Sequence, residues 1–133
     1  MESRHAVIVH LDTSVLVDAL TGPRRSLPAL ERTVGAGHVI AISTLVIYEW
    51  LRGPRTAEEI DDQELLLPHA EARGFGSAEA SRAAALYRTF KRARGRDMDI
   101  AIAACAIEHG AHLWTLNPTD VRDLPGVKLY KPA

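Results

Sequence analysis

Five oxygen-bearing side chains stand where a folded chain could gather them. Asp12 ends the apolar run Val7 to Leu11. Glu49 is the sole charge between Leu45 and Leu51, and Asp99 opens the run Ile100 to Ala104. Asn117 and Asp120 follow a further short apolar run, His112 to Thr115. Each has an ordinary structural reading. Asp12 can cap the helix that follows it, and Asn117 can do the same for a short helix at Pro118. Glu49 can face solvent or pair with Arg52, and Asp97 or Asp99 can cap a helix and gain from its dipole. Taken together they suggest different chemistry. Two carboxylates about 4 Å apart repel by roughly 4 kcal/mol at an effective dielectric near 20, and a divalent cation removes that cost. The donors are all oxygen, with no histidine or cysteine at zinc-like spacing, so Mg²⁺ or Mn²⁺ is the expected ion. Such a centre suits phosphodiester hydrolysis: one ion lowers the pKa of a water, and a second steadies the leaving oxygen. Asp12 and Asp99 are the expected direct ligands, with Glu49 on the second ion or orienting the water. Ser14 can support a carboxylate or a phosphate oxygen.

The elements that would bring these residues together follow from hydrophobic periodicity. Residues 7–11 and 39–42 read as strands buried on both faces of a parallel sheet. Helices are expected at 13–20, stopped by Gly22-Pro23, at 26–36, and from a cap at Ser43 or Thr44 to Arg52. A helix over 56–66 and a short edge strand over 71–75 come next. The helix over 77–94 has Ala83, Tyr87 and Phe90 on one face and Gly95 beyond its end. A helix from Asp97 or Asp99 to Gly110, a strand at 112–115, a short helix at Asn117-Pro118 and a strand at 127–130 complete the chain. Strands alternating with helices imply an α/β layered fold with a mainly parallel central sheet flanked by helices, in one domain spanning 1–133. Right-handed crossovers place the C-terminal ends of parallel strands on one edge, where ligands bind. That rule collects Asp12, Asn117 and Asp120, and brings the helices carrying Glu49 and Asp99 beside them.

Bulk composition narrows the possible partners. The net charge of −1 excludes a uniformly basic nucleic-acid binder, so contact with a polyanion must come from a local patch or from bound cations. The single cysteine, Cys105, lies in an apolar run and reads as a buried structural thiol. The N-terminal apolar stretch ends at once in Asp12, unlike a signal peptide, and no apolar run approaches the ~20 residues of a membrane span. A cytoplasmic protein without membrane contact is the expectation. Trp50 and Trp114 lie in apolar runs and are expected in the core.

Four ordered segments carry a family resemblance: Val9 to Leu16 around Asp12 and Ser14, Ser43 to Gly53 around Glu49, Asp99 to Ala106, and His109 to Val121. They resemble the PIN domain, and within it the VapC-type toxins of type II toxin–antitoxin pairs. The resemblance implies a Rossmann-like, three-layer α/β PIN fold. It implies an acidic cluster binding Mg²⁺ or Mn²⁺ for endonucleolytic cleavage of RNA, a homodimer, and inhibition by a cognate antitoxin protein. Asp12, Glu49 and Asp99 match the three core acids, whereas Asp97 is an extra acid outside the family register. The fourth acidic position falls on Asn117, whose neutral amide is a weaker ligand, so Asp120 or the substrate phosphate takes on more of that role. Val121 stands where the family commonly has an aromatic residue.

The densest basic stretch, Lys91, Arg92, Arg94 and Arg96, can guide RNA phosphates or simply end a helix in solvent. Arg52, with Arg55 and the pair Arg24-Arg25, is a weaker candidate. Aspartyl-phosphate transfer needs a second acid two residues beyond the nucleophile, where Ser14 stands, and a receiver needs an acidic pair before Asp12 even though Lys128 imitates its lysine. A non-catalytic PIN-like module that binds RNA or protein is the alternative that the Asn117 amide leaves open.

Overall fold

A computed structural model of the chain describes residues 5–133. Its centre is the strand β1 (Ile8–Leu11), flanked by β2 (Val39–Ala41) and β3 (His112–Trp114) in the order β2-β1-β3. Both pairings are parallel, with Val9 opposite Ile40 on one side and His112 on the other. A central parallel strand is covered on both faces, and Val9, His10 and Leu11 are accordingly all buried. Among the described residues six α-helices complete the three-layer PIN-like fold: α1 (Thr13–Leu20), α2 (Leu27–Gly35), α3 (Thr44–Arg52), α4 (Ala57–Leu66), α5 (Ser77–Thr89) and α6 (Asp97–Glu108). Helix α1 packs against α2, α3 and α4, while α6 meets α3, α5 and β3.

Local chemistry explains where these helices begin. Ser43 caps α3 through its side chain. Thr56 and Glu59 form a reciprocal capping box on α4, with Oγ1 of Thr56 accepting from Glu59 N at 3.1 Å and Glu59 Oε1 accepting from Thr56 N at 2.8 Å. Helix α6 is buried at Ile100 and from Ile102 to Ala106, nearly all round. Its alanines are what allow such close approach on every side. Trp50 and Trp114 are both in the core, as expected. The Arg55 guanidinium lies 4.3 Å from the centroid of the Trp50 ring, and its Nε donates to the Trp50 carbonyl at 2.9 Å.

Four elements differ from the sequence expectation. Helix α5 stops at Thr89 rather than running to Arg94, with Phe90 as its C-cap and the Arg96 guanidinium 4.6 Å from the Phe90 ring centroid. Residues 91–92 and 94–95 are turns, and Gly95 takes φ +81°, a conformation that favours glycine. The edge strand expected at 71–75 is a 3-10 turn at His69–Glu71 followed by a single bridge between Arg73 and Ser43. The final strand reduces to one bridge, Leu113 to Leu129, supported by Leu113 N donating to Lys128 O at 2.7 Å. The short helix after Asn117 is a single 3-10 turn, Pro118–Asp120.

A buried polar group lies between β1 and the end of α6. The His10 ring, 1% exposed, sits 5.1 Å from that of His109, whose Nε2 is 2.9 Å from Glu79 Oε2. His10 Nε2 and His109 Nδ1 have no hydrogen-bond partner. Burial, then His109, then Arg73 depress the His10 pKa from the ordinary 6.5 to about 4. Cys105 is buried as well, and desolvation pushes its thiol up to about 11.

Candidate active site

Asp12 is held at the C-terminal end of the central strand by both chain directions. Its backbone N–H donates to the Trp114 carbonyl at 2.9 Å, extending the β1–β3 ladder by one bond. The residue then turns as N-cap of α1. One carboxylate oxygen, Oδ2, accepts from Ser14 Oγ at 2.6 Å, from Thr115 Oγ1 at 3.0 Å and from Ser14 N at 3.4 Å. Ser14 Oγ in turn accepts from Leu116 N at 3.1 Å, and Thr115 Oγ1 from Asn117 N at 3.1 Å. These bonds fix the carboxylate's plane and gather the donors on Oδ2. Ser14 therefore supports a carboxylate, one of the two roles its position suggested.

Asp99 is the third residue of α6 and only partly exposed. Burial is the main force raising its pKa, followed by the negative charges of Asp12 and Asp120; Arg96 opposes the rise and Glu49 adds to it. Mutual repulsion is the electrostatic signature of carboxylates gathered without a cation. Asp12, Asp99, Asp120, Asn117 and Thr115 line one cleft with Leu113 and Val121. Its volume of about 70 Å³ has room for more than one water-sized species. The polar donors around it are hard oxygens, with no sulfur or imidazole, so their chemistry fits Mg²⁺ or Mn²⁺. As arranged, no three His, Cys, Asp or Glu side chains among the described residues stand close enough to share an ion. Holding one would require the carboxylates to draw inward.

The other predicted residues are distributed unevenly around this cleft. Glu49 is near enough to raise the Asp99 pKa but does not line the cavity. Its Oε1 accepts from Thr13 Oγ1 at 2.6 Å, and its Oε2 pairs with Arg52 Nη2 at 3.3 Å. Arg52 also lies 5.2 Å from the Tyr48 ring centroid. Asp97 is exposed and lines a separate groove with Ala83, Tyr87 and Arg88. Lys91, Arg92 and Arg94 are exposed on the turns after α5, while Arg96 is half-buried, with a shielded Nη2 that has no partner. Two site residues escaped the sequence reading. Thr115 was noted only as the end of a strand, and Thr13 only as the start of a helix. A hydroxyl directly after a strand, on the edge where acids gather, was the available signal for Thr115.

An acid-lined cleft at the C-terminal edge of a three-stranded parallel sheet, with helices around it, defines a class of α/β proteins. The signature of the PIN domain matches residues 9–122, and the chain belongs to the PIN domain family. No curated protein sequence matches it closely enough to add to this. Its fold is similar to a chain in the structure of VapBC2 from Rickettsia felis bound to a DNA fragment from their promoter, with 25% identity and a TM-score of 0.76 over 92% of this chain and 97% of that one. A toxin–antitoxin complex from Klebsiella pneumoniae gives 25% and 0.71 over 94% and 98%. DNA-bound VapBC from Salmonella typhimurium gives 17% and 0.77 over 93% and 97%, a likeness of fold. The PIN fold is thus shared with chains of VapBC and toxin–antitoxin complexes.

Proposed function

We propose that the chain, as a single PIN domain, is a Mg²⁺- or Mn²⁺-dependent endoribonuclease, the toxin of a toxin–antitoxin pair. The observation that carries this reading is the convergence of Asp12, Asp99, Asp120 and Asn117 on one cleft, with Asp99 strained electrostatically by its neighbours. When bound, the cation supplies Lewis-acid activation of water and neutralises charge at the leaving oxygen. Asp12 and Asp99 would hold it, and Asn117 and Asp120 would supply further oxygens. Asp12 is suited to this because Ser14 and Thr115 orient it through Oδ2. Glu49, bonded to Thr13 and Arg52, would contribute to a second ion or orient the attacking water. Lys91, Arg92, Arg94 and Arg52 supply the cationic contacts that an otherwise slightly acidic chain needs to meet RNA phosphates.

Likeness to VapBC and toxin–antitoxin complexes supports the partner reading, a cognate antitoxin that covers the cleft; the homodimer and the cytoplasmic setting are carried by the family resemblance alone. Cleavage of total cellular RNA by purified, antitoxin-free protein tests the central claim, with Mg²⁺, with Mn²⁺, with EDTA, and beside Asp99→Asn. Discrete metal-dependent products from the wild type alone are expected. Equal cleavage by Asp99→Asn would remove this cleft from the mechanism. The alternative, a PIN-like module that binds RNA or protein without cutting, draws on the Asn117 amide and the Glu49–Arg52 pair. RNA retention by folded protein with no cleavage under any metal would establish it.

A further inference from the structure

A second cavity adjoins the acidic cleft. It has a volume of about 130 Å³, and Thr115 lines both spaces. Pro118, which lines the second cavity, directly follows Asn117 of the cleft. The walls are largely carbon: Trp114, Pro118, Leu129, Tyr130 and Pro132, with Lys131 exposed among them. Tyr130 is held firmly as one wall. Its hydroxyl is 2.9 Å from Thr33 Oγ1, and its ring lies 5.7 Å from that of Trp114 and 5.6 Å from that of His38. Lys131 makes no ion pair with a carboxylate among the described residues.

Resting on the nuclease reading above, we propose that this cavity is a nucleobase subsite, seating one base beside the scissile phosphate of the RNA substrate. Three observations converge. The shared Thr115 makes any occupant a neighbour of whatever group the acids act on. The volume of about 130 Å³ has room for a group well beyond the size of one water. Aromatic and apolar walls with one free cation at the rim suit a flat ring joined to a phosphate, since stacking on aromatic side chains accepts any π face while lysine contacts the backbone. A base seated there has left its own stack, so the RNA is single-stranded at the cut. Tyr130 and Lys131 are thus specificity-determining residues that do not touch the reacting atoms.

The test uses a single-stranded RNA library randomised at the nucleotides flanking the cut. Wild-type protein is expected to show a bias of about twofold to fivefold at one flanking position, the modest preference that differences in stacking strength give. Leu129→Trp, which fills the cavity, is expected to flatten that preference, and Lys131→Glu to raise KM about tenfold with kcat held. A flat wild-type profile overturns the proposal, as does a preference that survives in Leu129→Trp. Because Leu129→Trp can disturb the Leu113 bridge, its melting temperature is measured in parallel, and a second readout avoids the variant altogether. Asp99→Asn protein is photocrosslinked to single-stranded RNA carrying 4-thiouridine. Crosslinks at residues 129–132 support the subsite, and crosslinks confined elsewhere refute it. Crosslinks there from a protein that never cuts RNA would sink the nuclease reading and leave the base pocket standing.

Discussion

Replacing His10 by leucine should make the protein less sensitive to acid. His10 is essentially without solvent contact, its Nε2 has no partner, and its neighbours His109 and Arg73 are themselves basic. Protonating it in the folded state is therefore costly, and its pKa falls from 6.5 to about 4. The unfolded chain binds that proton at the ordinary value, so acid favours unfolding. The contribution of His10 is fully present above about pH 6.5 and is lost as pH falls towards 4. Each tenfold difference in proton affinity is worth about 1.4 kcal/mol, which gives about 3 kcal/mol when fully expressed and about 2 kcal/mol between roughly pH 8 and pH 5. Urea unfolding of wild type and His10→Leu at a series of pH values measures this directly, provided both unfold in two states. The quantity that matters is the gap between the two proteins, because the carboxylates titrate in both. Wild type should lose about 2 kcal/mol relative to His10→Leu over that interval, with most of the change below about pH 6. A gap that stays constant from pH 8 to 5, within about 0.5 kcal/mol, would refute the claim that a neutral, unpartnered imidazole is buried there.

Ser14→Ala removes the 2.6 Å bond to Asp12 Oδ2 and leaves Leu116 N without its acceptor; we expect Mg²⁺ affinity to fall roughly tenfold to a hundredfold by calorimetry, and an unchanged affinity would mean Asp12 needs no such orientation. Thr56→Ala breaks the capping box on α4 and should cost about 1 kcal/mol in denaturant unfolding, with no effect on metal binding. Cys105, buried and with its thiol pushed up to about 11, should react with a disulfide reagent only as fast as the protein opens, and rapid labelling under native conditions would contradict its burial.

The arrangement around β1 was largely legible in the sequence because a parallel strand buried on both faces needs an uninterrupted apolar run, and Val9 to Leu11 flank a histidine that is itself buried. The sheet-edge rule then placed Asp12, Asn117 and Asp120 together, and the cleft unites them with Asp99. The limits lie where tertiary contacts override local preference. Residues 91–94 contain good helix formers, yet α5 ends at Phe90, with Arg96 returning to its ring. The edge strands were overdrawn because each depends on a few bonds from a distant segment, such as Arg73 N to Ile42 O at 2.8 Å. Glu49 is bonded through both oxygens, one accepting from the Thr13 hydroxyl and one from Arg52. Only the Arg52 contact could be anticipated, from its spacing on one helix. Thr115 reaches Asp12 across 103 residues, a distance that local pattern cannot bridge.

That long reach also bears on how the protein is made. During synthesis residues 1–50 emerge first, carrying Asp12, Ser14 and Glu49, but Asp12 lacks both its ladder bond to Trp114 and its Thr115 donor until residues 114 and 115 arrive. Asp99, Asn117 and Asp120 are also late in the order of translation. A chain interrupted before residue 112 would carry the first acids without the opposite wall of the cleft. Topology alone therefore withholds the assembled cleft from copies that lack residues 112–121.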